Sequence, residues 1–368
     1  MKLHAVLALA LVAACSHAHR DEPKQDPQVA PKPQVPLRDA VGDHDMRALV
    51  ADLVSSKACE QFEHDMRGMV DDKDKSKVTG VLWIRQCKIT LEADRMHVTF
   101  ELAGNGWQWN HTVKHQAGGT FEVDQWVKFG VDLKLVGAFD IAYSRPDHVV
   151  TLWFTPDRDP EVKFTPVGDV SVDPKGAWSS IVGGMGSVFG KSPDREGKKS
   201  AQQQGEQMFG KAFHDGFAIT VDLCTSAIRF AMDRPKKGEM APAPIGQTMD
   251  IAAELQPNGV MMFGPYEDPK GMSIDAQVDG GAARLYLACV DQAEAVAQGF
   301  LDDKPNNAKP LAAEVVSGKA VLHAPTEHCK LAVVARSILP KPVMVRFKRP
   351  NAEATSAAGG PFLKCAKS

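Results

Sequence analysis

The sequence predicts an α+β fold, in which a long helix packs on long, twisted antiparallel strands and a smaller, mostly-β, sandwich-like domain follows. Three patterns indicate this class. Apolar residues recur at helical spacing over residues 41–72, they alternate with polar residues over residues 127–143, and mostly short alternating segments follow residue 244. The chain has 368 residues, about twice the length of an ordinary domain, so we expect two domains.

The first 14 residues are typical of a secretory leader. Lys2 precedes an apolar run over residues 5–14, which is too short to cross a bilayer as a helix. The run ends Val-Ala-Ala-Cys, in which the cysteine is Cys15. We therefore expect residues 1–14 to be a signal peptide that is removed.

The Val-Ala-Ala-Cys ending resembles the lipobox of bacterial lipoproteins, which has a branched apolar residue, two small residues and an obligatory cysteine. The resemblance implies cleavage before Cys15 and acylation of its thiol and new amino group, with palmitate or a similar chain. It also implies a membrane as partner, through this lipid anchor. In the family an aspartate after the cysteine favours the inner membrane. This chain has Ser16 there, so the resemblance implies the outer membrane of a bacterial cell envelope.

Residues 15–40 have the composition of a lipidated cysteine followed by a proline-rich tether. Prolines hold such a segment extended, and apolar residues are too few to form a core. The prolines are Pro23, Pro27, Pro31, Pro33 and Pro36. The tether would separate the folded body from the membrane.

Six cysteines follow Cys15, and an even number in an exported chain predicts disulfides. We pair Cys59 with Cys87, because they are the only two in the first 200 residues after Cys15. The other four cysteines allow three connectivities. Among these we favour the pairs Cys289 with Cys329 and Cys224 with Cys365. No Cys-x-x-Cys pair is present, so zinc-ligand and thioredoxin-type spacings are both missing.

The body begins with the predicted helix at residues 41–72. Its clearest strand covers residues 127–143 and would extend about 56 Å at 3.3 Å per residue, so helix and strand could share a continuous apolar contact. Other strands are expected at residues 79–91, 96–102, 148–154 and 161–172, and a second helix at 201–215.

The apolar face of residues 127–143 is the candidate ligand-binding surface. The residues that could line a site for acyl chains are Phe129, Val131, Leu133, Leu135, Phe139 and Ile141. In the alternative interpretation the same residues form a filled core, which is the commoner outcome for an apolar stripe at strand spacing.

A basic, proline-rich segment at residues 234–244 indicates a domain boundary. We therefore divide the body into an α+β domain at residues 41–236 and a mostly-β domain at residues 237–368. All six tryptophans precede the boundary. Beyond it we expect strands at residues 259–263, 272–278, 283–290, 329–336 and 343–348, and a helix at 291–302.

Motifs that would bind nucleotides or calcium are incomplete. Residues 183–192 are rich in glycine, but Met185 stands where a phosphate-binding loop needs its first glycine. Residues 72–83 begin like a calcium loop but have Lys77 and Trp83 where that loop needs glycine and glutamate. The 43 basic and 46 acidic residues give a net charge of −3, so the basic surface of a nucleic-acid-binding protein is not expected.

Catalytic and metal-binding patterns are also incomplete. His111 with His115, and His323 with His328, could each hold a metal, but neither pair has a third ligand at suitable spacing. The chain has no Gly-x-Ser-x-Gly elbow and no His-Glu-x-x-His motif. We expect no enzyme activity, no cofactor and no metal.

The predicted long helix and long amphipathic strands resemble the tubular lipid-binding fold of the bactericidal/permeability-increasing family over residues 41–230. This resemblance implies an apolar groove between sheet and helix. Two functions follow as expectations for a non-enzymatic envelope lipoprotein. One is the binding or carriage of a lipid or other hydrophobic ligand in the first domain, and the other is a structural or protein-interaction role with no ligand cavity.

Overall fold

The fold is given by a computed structural model that describes residues 57–60, 62–71, 73, 74, 76–92, 97–116, 119–144, 146–175, 193–242, 250–266, 272–305, 307–324 and 329–348. The predictions for the leader, Cys15, the tether and the first part of the helix at residues 41–72 lie outside these residues. So do those for residues 183–192.

The described part of the protein is mostly β, with 61% of its residues in strands and 16% in helices. The strands of the described residues are β1 Met66–Val70, β2 Lys77–Leu91, β3 His97–Gln116, β4 Gly119–Ser144, β5 Val149–Pro156, β6 Glu161–Lys175, β7 Phe217–Asp222, β8 Ile228–Ala231, β9 Asp250–Leu255, β10 Val260–Tyr266, β11 Met272–Cys289, β12 Ala312–Ala324, β13 Leu331–Ser337 and β14 Val343–Lys348. These fourteen strands form one mixed sheet, whose main path runs β10-β13-β11-β14-β9-β2-β3-β4-β5-β7-β8. The two long helices are α1 Pro193–His214 and α2 Val290–Leu301. The predicted α+β class is therefore wrong.

The predicted long helix is the main error. Residues 57–60 and 62–64 are helical, but β1 begins at Met66 and pairs antiparallel with β2. Short apolar segments fit both the helical and the strand period. In a helix, Gly68 would cost about 1 kcal/mol of stability relative to alanine. Pairing with β2 places Met66 opposite Trp83 and buries both, so the sheet determines the structure here.

The predicted long strand is confirmed and is longer than expected. It lies within β4, which has 26 residues and pairs with all 20 residues of β3. The other edge of β4 is shared, because β6 pairs with its first part and β5 with its last part. The two long strands therefore organise the first half of the sheet.

The strands after residue 237 continue the same sheet, so the predicted separate sandwich is wrong. β9 pairs in parallel with β2 through Lys77 with Glu254 and Val78 with Leu255. The two predicted strands at 272–278 and 283–290 form one strand, β11, with a register shift around Gly280. The domain boundary itself stays a prediction.

Two clusters of buried apolar side chains form the core. One lies between α1 and strands β2 to β8, and its large residues are phenylalanines. The other surrounds α2 and β9 to β14, and it also includes Val78, Val81, Trp83 and Trp107 from the first half. The second cluster therefore depends on residues from both halves of the chain.

Candidate functional site

The predicted ligand-lining residues lie on the core face of β4. Phe129, Val131, Leu133, Leu135 and Phe139 are each at most 5% exposed, and Ile141 is half-buried at the edge of the same cluster. The apolar residues of this segment therefore face the core, and the residues between them face away from it.

The protein's own aromatic rings pack on this face. The Phe129 ring lies 4.6 Å from the Phe164 ring of β6 and 5.8 Å from the Phe209 ring of α1, centroid to centroid. Farther along the strand, the Phe139 ring lies 5.8 Å from the ring of Phe100. Edge-to-face and offset contacts at these distances are favourable. The central part of the stripe is therefore covered by side chains of β3, β6 and α1.

A cleft of about 570 Å³ opens beside the stripe, across β2, β3, β4 and β6. Its apolar lining comes from Cys87, Leu102, Leu133 and Val162. Charged side chains also line it, and two pairs of them form ion pairs on neighbouring strands, Lys88 with Glu101 and Asp132 with Lys163. Of the six predicted lining residues, Leu133 alone contacts this cleft.

Two predicted disulfides are confirmed. Cys59 bonds to Cys87, which ties the first helical segment to β2, and Cys289 bonds to Cys329 across the start of α2. Cys224 is also disulfide-bonded. Its predicted partner, Cys365, lies outside the described residues.

The candidate metal ligands are not brought together among the residues that the structure describes. His323 Nδ1 lies 3.0 Å from Ser273 Oγ on the adjacent strand. The side chains of His111, His115 and His328 lie outside the described residues. Within the described part of the chain, no three histidine, cysteine or carboxylate side chains form a group that could hold a metal ion.

The calcium-like segment begins in a hydrogen-bonded turn between β1 and β2, and its residues from Lys77 onward belong to β2. Asp71 accepts hydrogen bonds from the backbone N–H groups of Lys73 and Asp74, and Asp74 accepts two from Ser76. These donors lower the pKa of both carboxyl groups below the ordinary value.

Sequence reasoning missed a buried lysine that joins the two halves. Lys128 is on β4, at a position that the alternation assigns to solvent, yet it is 3% exposed. Its Nζ donates to the backbone carbonyl of Phe300, 2.6 Å away at the end of α2, and forms an ion pair with Asp303. The same ammonium group lies over the rings of Trp126 and Phe300. No local signal could have indicated a partner more than 170 residues away.

A second charged contact holds the other end of α2. Glu294 Oε1 lies 2.7 Å from His64 Nδ1, and Glu294 Oε2 lies 3.5 Å from the guanidinium of Arg85. Arg85 also stacks on Trp83, with its guanidinium carbon 3.8 Å from the ring centroid. Helix α2 is therefore fixed to β2 and β4 at both ends.

Comparisons with known proteins do not show a family. No protein-family profile and no curated protein matches the chain. Among solved structures, the SMP domain and two C2 domains of Extended-Synaptotagmin 2 align at 7% identity over 85% of this chain and 65% of that one, with a TM-score of 0.14. A mutant of Bacillus subtilis oxalate decarboxylase aligns at 9% identity over 79% and 80% of the two chains, with a TM-score of 0.15. The aligned part is less than two thirds of the first of these structures, and similarities this low carry no information about fold or function.

No helix among the described residues has the length and hydrophobicity needed to span a membrane.

Proposed function

We propose that this protein is a lipid-anchored, non-enzymatic component of the bacterial cell envelope whose folded body is an interaction scaffold. The anchor rests on the Val-Ala-Ala-Cys ending at Cys15 and on Ser16 after it. The scaffold role rests on one observation above all. The long apolar stripe of β4 packs on Phe164 and Phe209, so its surface is used to hold the sheet together.

The anchor is tested by replacing the cysteine. Cys15→Ala should abolish fatty-acid labelling of the chain and release it from the membrane fraction, because the thiol is the acylated group. Ser16→Ala leaves the cysteine in place and should still be labelled. Persistent labelling of the Cys15→Ala variant would rule out the anchor.

Carriage of a hydrophobic ligand is the second candidate, and the cleft beside the stripe favours it. Leu102 and Val162 are half-buried on its apolar side, next to Leu133. An acyl chain there would gain about 0.8 kcal/mol for each methylene that it buries.

Lipid extraction and a fluorescent fatty-acid probe separate the two candidates. If the protein carries lipid, a chain made without its anchor should release lipid on extraction and bind the probe. Leu102→Gln and Val162→Gln should then weaken probe binding. Ile89→Gln changes a half-buried residue of β2 that does not line the cleft, and it should have no such effect. If a wild-type chain releases no lipid and does not bind the probe, the carrier role is excluded and the scaffold role remains.

A further inference from the structure

A cleft of about 340 Å³ lies between the C-terminal end of α2 and the sheet face formed by β10, β11 and β13. Val260, Tyr286 and Val334 line it on the sheet side, and Val296 and Phe300 line it on the helix side. This volume lies at the lower end of the range of about 300–1,000 Å³ for small-molecule sites. The cleft is thus of a size for a small molecule with an apolar part.

Two cationic side chains line this cleft. They are Arg336 and Lys304, and the Arg336 guanidinium carbon lies 4.6 Å from the centroid of the Phe300 ring. Arg284 is directly opposite Arg336 in the pairing of β11 with β13. Like charges directly opposite each other destabilise a sheet, so folding alone does not account for this pair.

The negative charge of the cleft is already compensated. Asp303 is the one carboxylate among the described lining residues, and it is bound to Lys128. Among the described residues, neither Arg336 nor Lys304 forms an ion pair with a carboxylate. The cleft therefore presents two cations that are free to bind an anion.

The backbone at the rim is fixed before any ligand arrives. Helix α2 ends with two hydrogen bonds, from the Lys304 N–H to the Gly299 carbonyl and from the Asp303 N–H to the Phe300 carbonyl. Asp303 has a φ of 54°, a left-handed conformation that glycine usually supplies at this position. This conformation ends α2 in the usual way, and the ion pair with Lys128 fixes the Asp303 side chain at the same place.

We propose that this cleft binds a small amphipathic carboxylate. The carboxylate would accept hydrogen bonds from the guanidinium of Arg336 and the ammonium of Lys304, and the apolar part would pack on Tyr286 and on the accessible edge of Phe300. The planar guanidinium fork matches a carboxylate in two parallel hydrogen bonds. The adjacent end of α2 carries partial negative charge, which repels a phosphate dianion more strongly than a monoanion.

The test uses the full-length, detergent-solubilised protein with phenylacetate as probe and titration calorimetry as readout. Phenylacetate should bind with a Kd below about 1 mM, a modest affinity for a small ligand. Acetate, which lacks the apolar part, and 2-phenylethanol, which lacks the charge, should each bind at least tenfold more weakly. Phenyl phosphate should also bind more weakly than phenylacetate.

Matched variants locate the binding. Arg336→Gln should weaken phenylacetate binding at least tenfold, and Lys304→Gln several-fold. Lys319→Gln removes an exposed cation of β12 outside the cleft and should change nothing. Arg336→Gln should unfold at the same or a higher urea concentration than wild type, because it relieves the repulsion with Arg284.

Three results would overturn the proposal. They are no phenylacetate binding by the wild type at about 10 mM, equal binding by wild type and Arg336→Gln, and tighter binding of phenyl phosphate than of phenylacetate. None of these readouts depends on the lipid anchor or on fatty-acid binding beside β4, so this proposal and the proposed function can fail separately.

Discussion

Lys128 shows how a single side chain can join parts of a protein that are distant in sequence. Its ammonium group is buried, and it is balanced by the carbonyl end of α2 and by the carboxylate of Asp303. A cation at a helix C-terminus is stabilised by the helix dipole. The Asp303 side chain, in contrast, is 65% exposed and keeps much of its contact with water. Replacing Lys128 and replacing Asp303 should therefore lower the stability of the fold by different amounts.

We predict that Asp303→Asn destabilises the protein more than Lys128→Met. Asn tolerates the left-handed backbone at this position, but it leaves a buried ammonium group without a counter-ion. We expect a loss of about 2–3 kcal/mol, below the usual 3–5 kcal/mol for a broken buried pair because water screens this one. Lys128→Met removes the buried charge itself and should cost about 1 kcal/mol.

Urea unfolding of the two variants and of the double variant measures these losses. The double variant should resemble Lys128→Met, because Asp303 has no role at this site once the cation is gone. Equal losses in the two single variants would contradict the prediction and would mean that Lys128 is solvated.

The turn between β1 and β2 should make stability depend on pH. The pKa of Asp71 and of Asp74 is lowered in the folded state by hydrogen bonds from Lys73, Asp74 and Ser76. A lowered folded pKa contributes stability above the unfolded value of 3.8, and that contribution is lost as the pH falls through the folded pKa.

An Asp71→Asn, Asp74→Asn double variant should therefore have a lower urea midpoint than wild type at pH 7. The two midpoints should converge as the pH falls through the folded pKa, because the wild-type carboxyl groups then become protonated. If the difference does not shrink as the pH falls, the two charges do not contribute to stability.

Among the elements, helix α1 depends on a close contact with β6. A Cβ at Gly205 would overlap the ring of Phe164, whereas a Cβ at Gly210 would have no atom within 4 Å. Glycine inside a helix otherwise costs about 1 kcal/mol relative to alanine. The two glycines thus allow a comparison of packing with helix propensity in one element.

We predict opposite effects of alanine at these two positions. Gly210→Ala should stabilise the protein by about 0.5–1 kcal/mol through helix propensity. Gly205→Ala should destabilise it by about 1–3 kcal/mol, because the ring of Phe164 must move. Thermal unfolding of both variants gives the comparison, and stabilisation by both would show that α1 does not pack closely on β6.

The elements also show which parts of the fold the sequence could predict. Strand β4 was predictable because strict alternation over many residues has no helical counterpart. Strand β12 was not predicted, because its residues are largely exposed or half-buried and Gly318 interrupts it. The sequence predicts a helix where strand β1 lies, since five residues with apolar positions fit either the helical or the strand period and their pairing with β2 is not visible locally.

Candidate sites were less predictable than strands, because they are assembled from distant parts of the chain. The stripe of β4 was found by its period, but the period cannot show that Phe164 and Phe209 cover it. The small cleft combines α2 with residues of β10, β11 and β13. The two confirmed cysteine pairs could be predicted because the number and spacing of the cysteines left few possible pairings.

At the scale of the whole molecule, one sheet joins two halves that the sequence divides at residue 236. Val78, Val81, Trp83 and Trp107 come from the first half but belong to the core of the second. Trp107 also donates a hydrogen bond of 2.7 Å from its indole Nε1 to the carbonyl of Val260. Each large apolar side chain that is fully buried contributes about 1.5–3 kcal/mol, so the exposure of this group would remove much of a typical stability of 5–15 kcal/mol.

We therefore predict that a chain of residues 41–236 does not fold alone, whereas a chain of residues 41–368 does. Both contain the same six tryptophans, so their fluorescence can be compared directly. The shorter chain should have a red-shifted emission maximum and no cooperative urea transition, because Trp83 and Trp107 lose the side chains that cover them. If it instead unfolds cooperatively, with emission like that of the longer chain, then the two halves are independent domains and the shared sheet is only a contact between them.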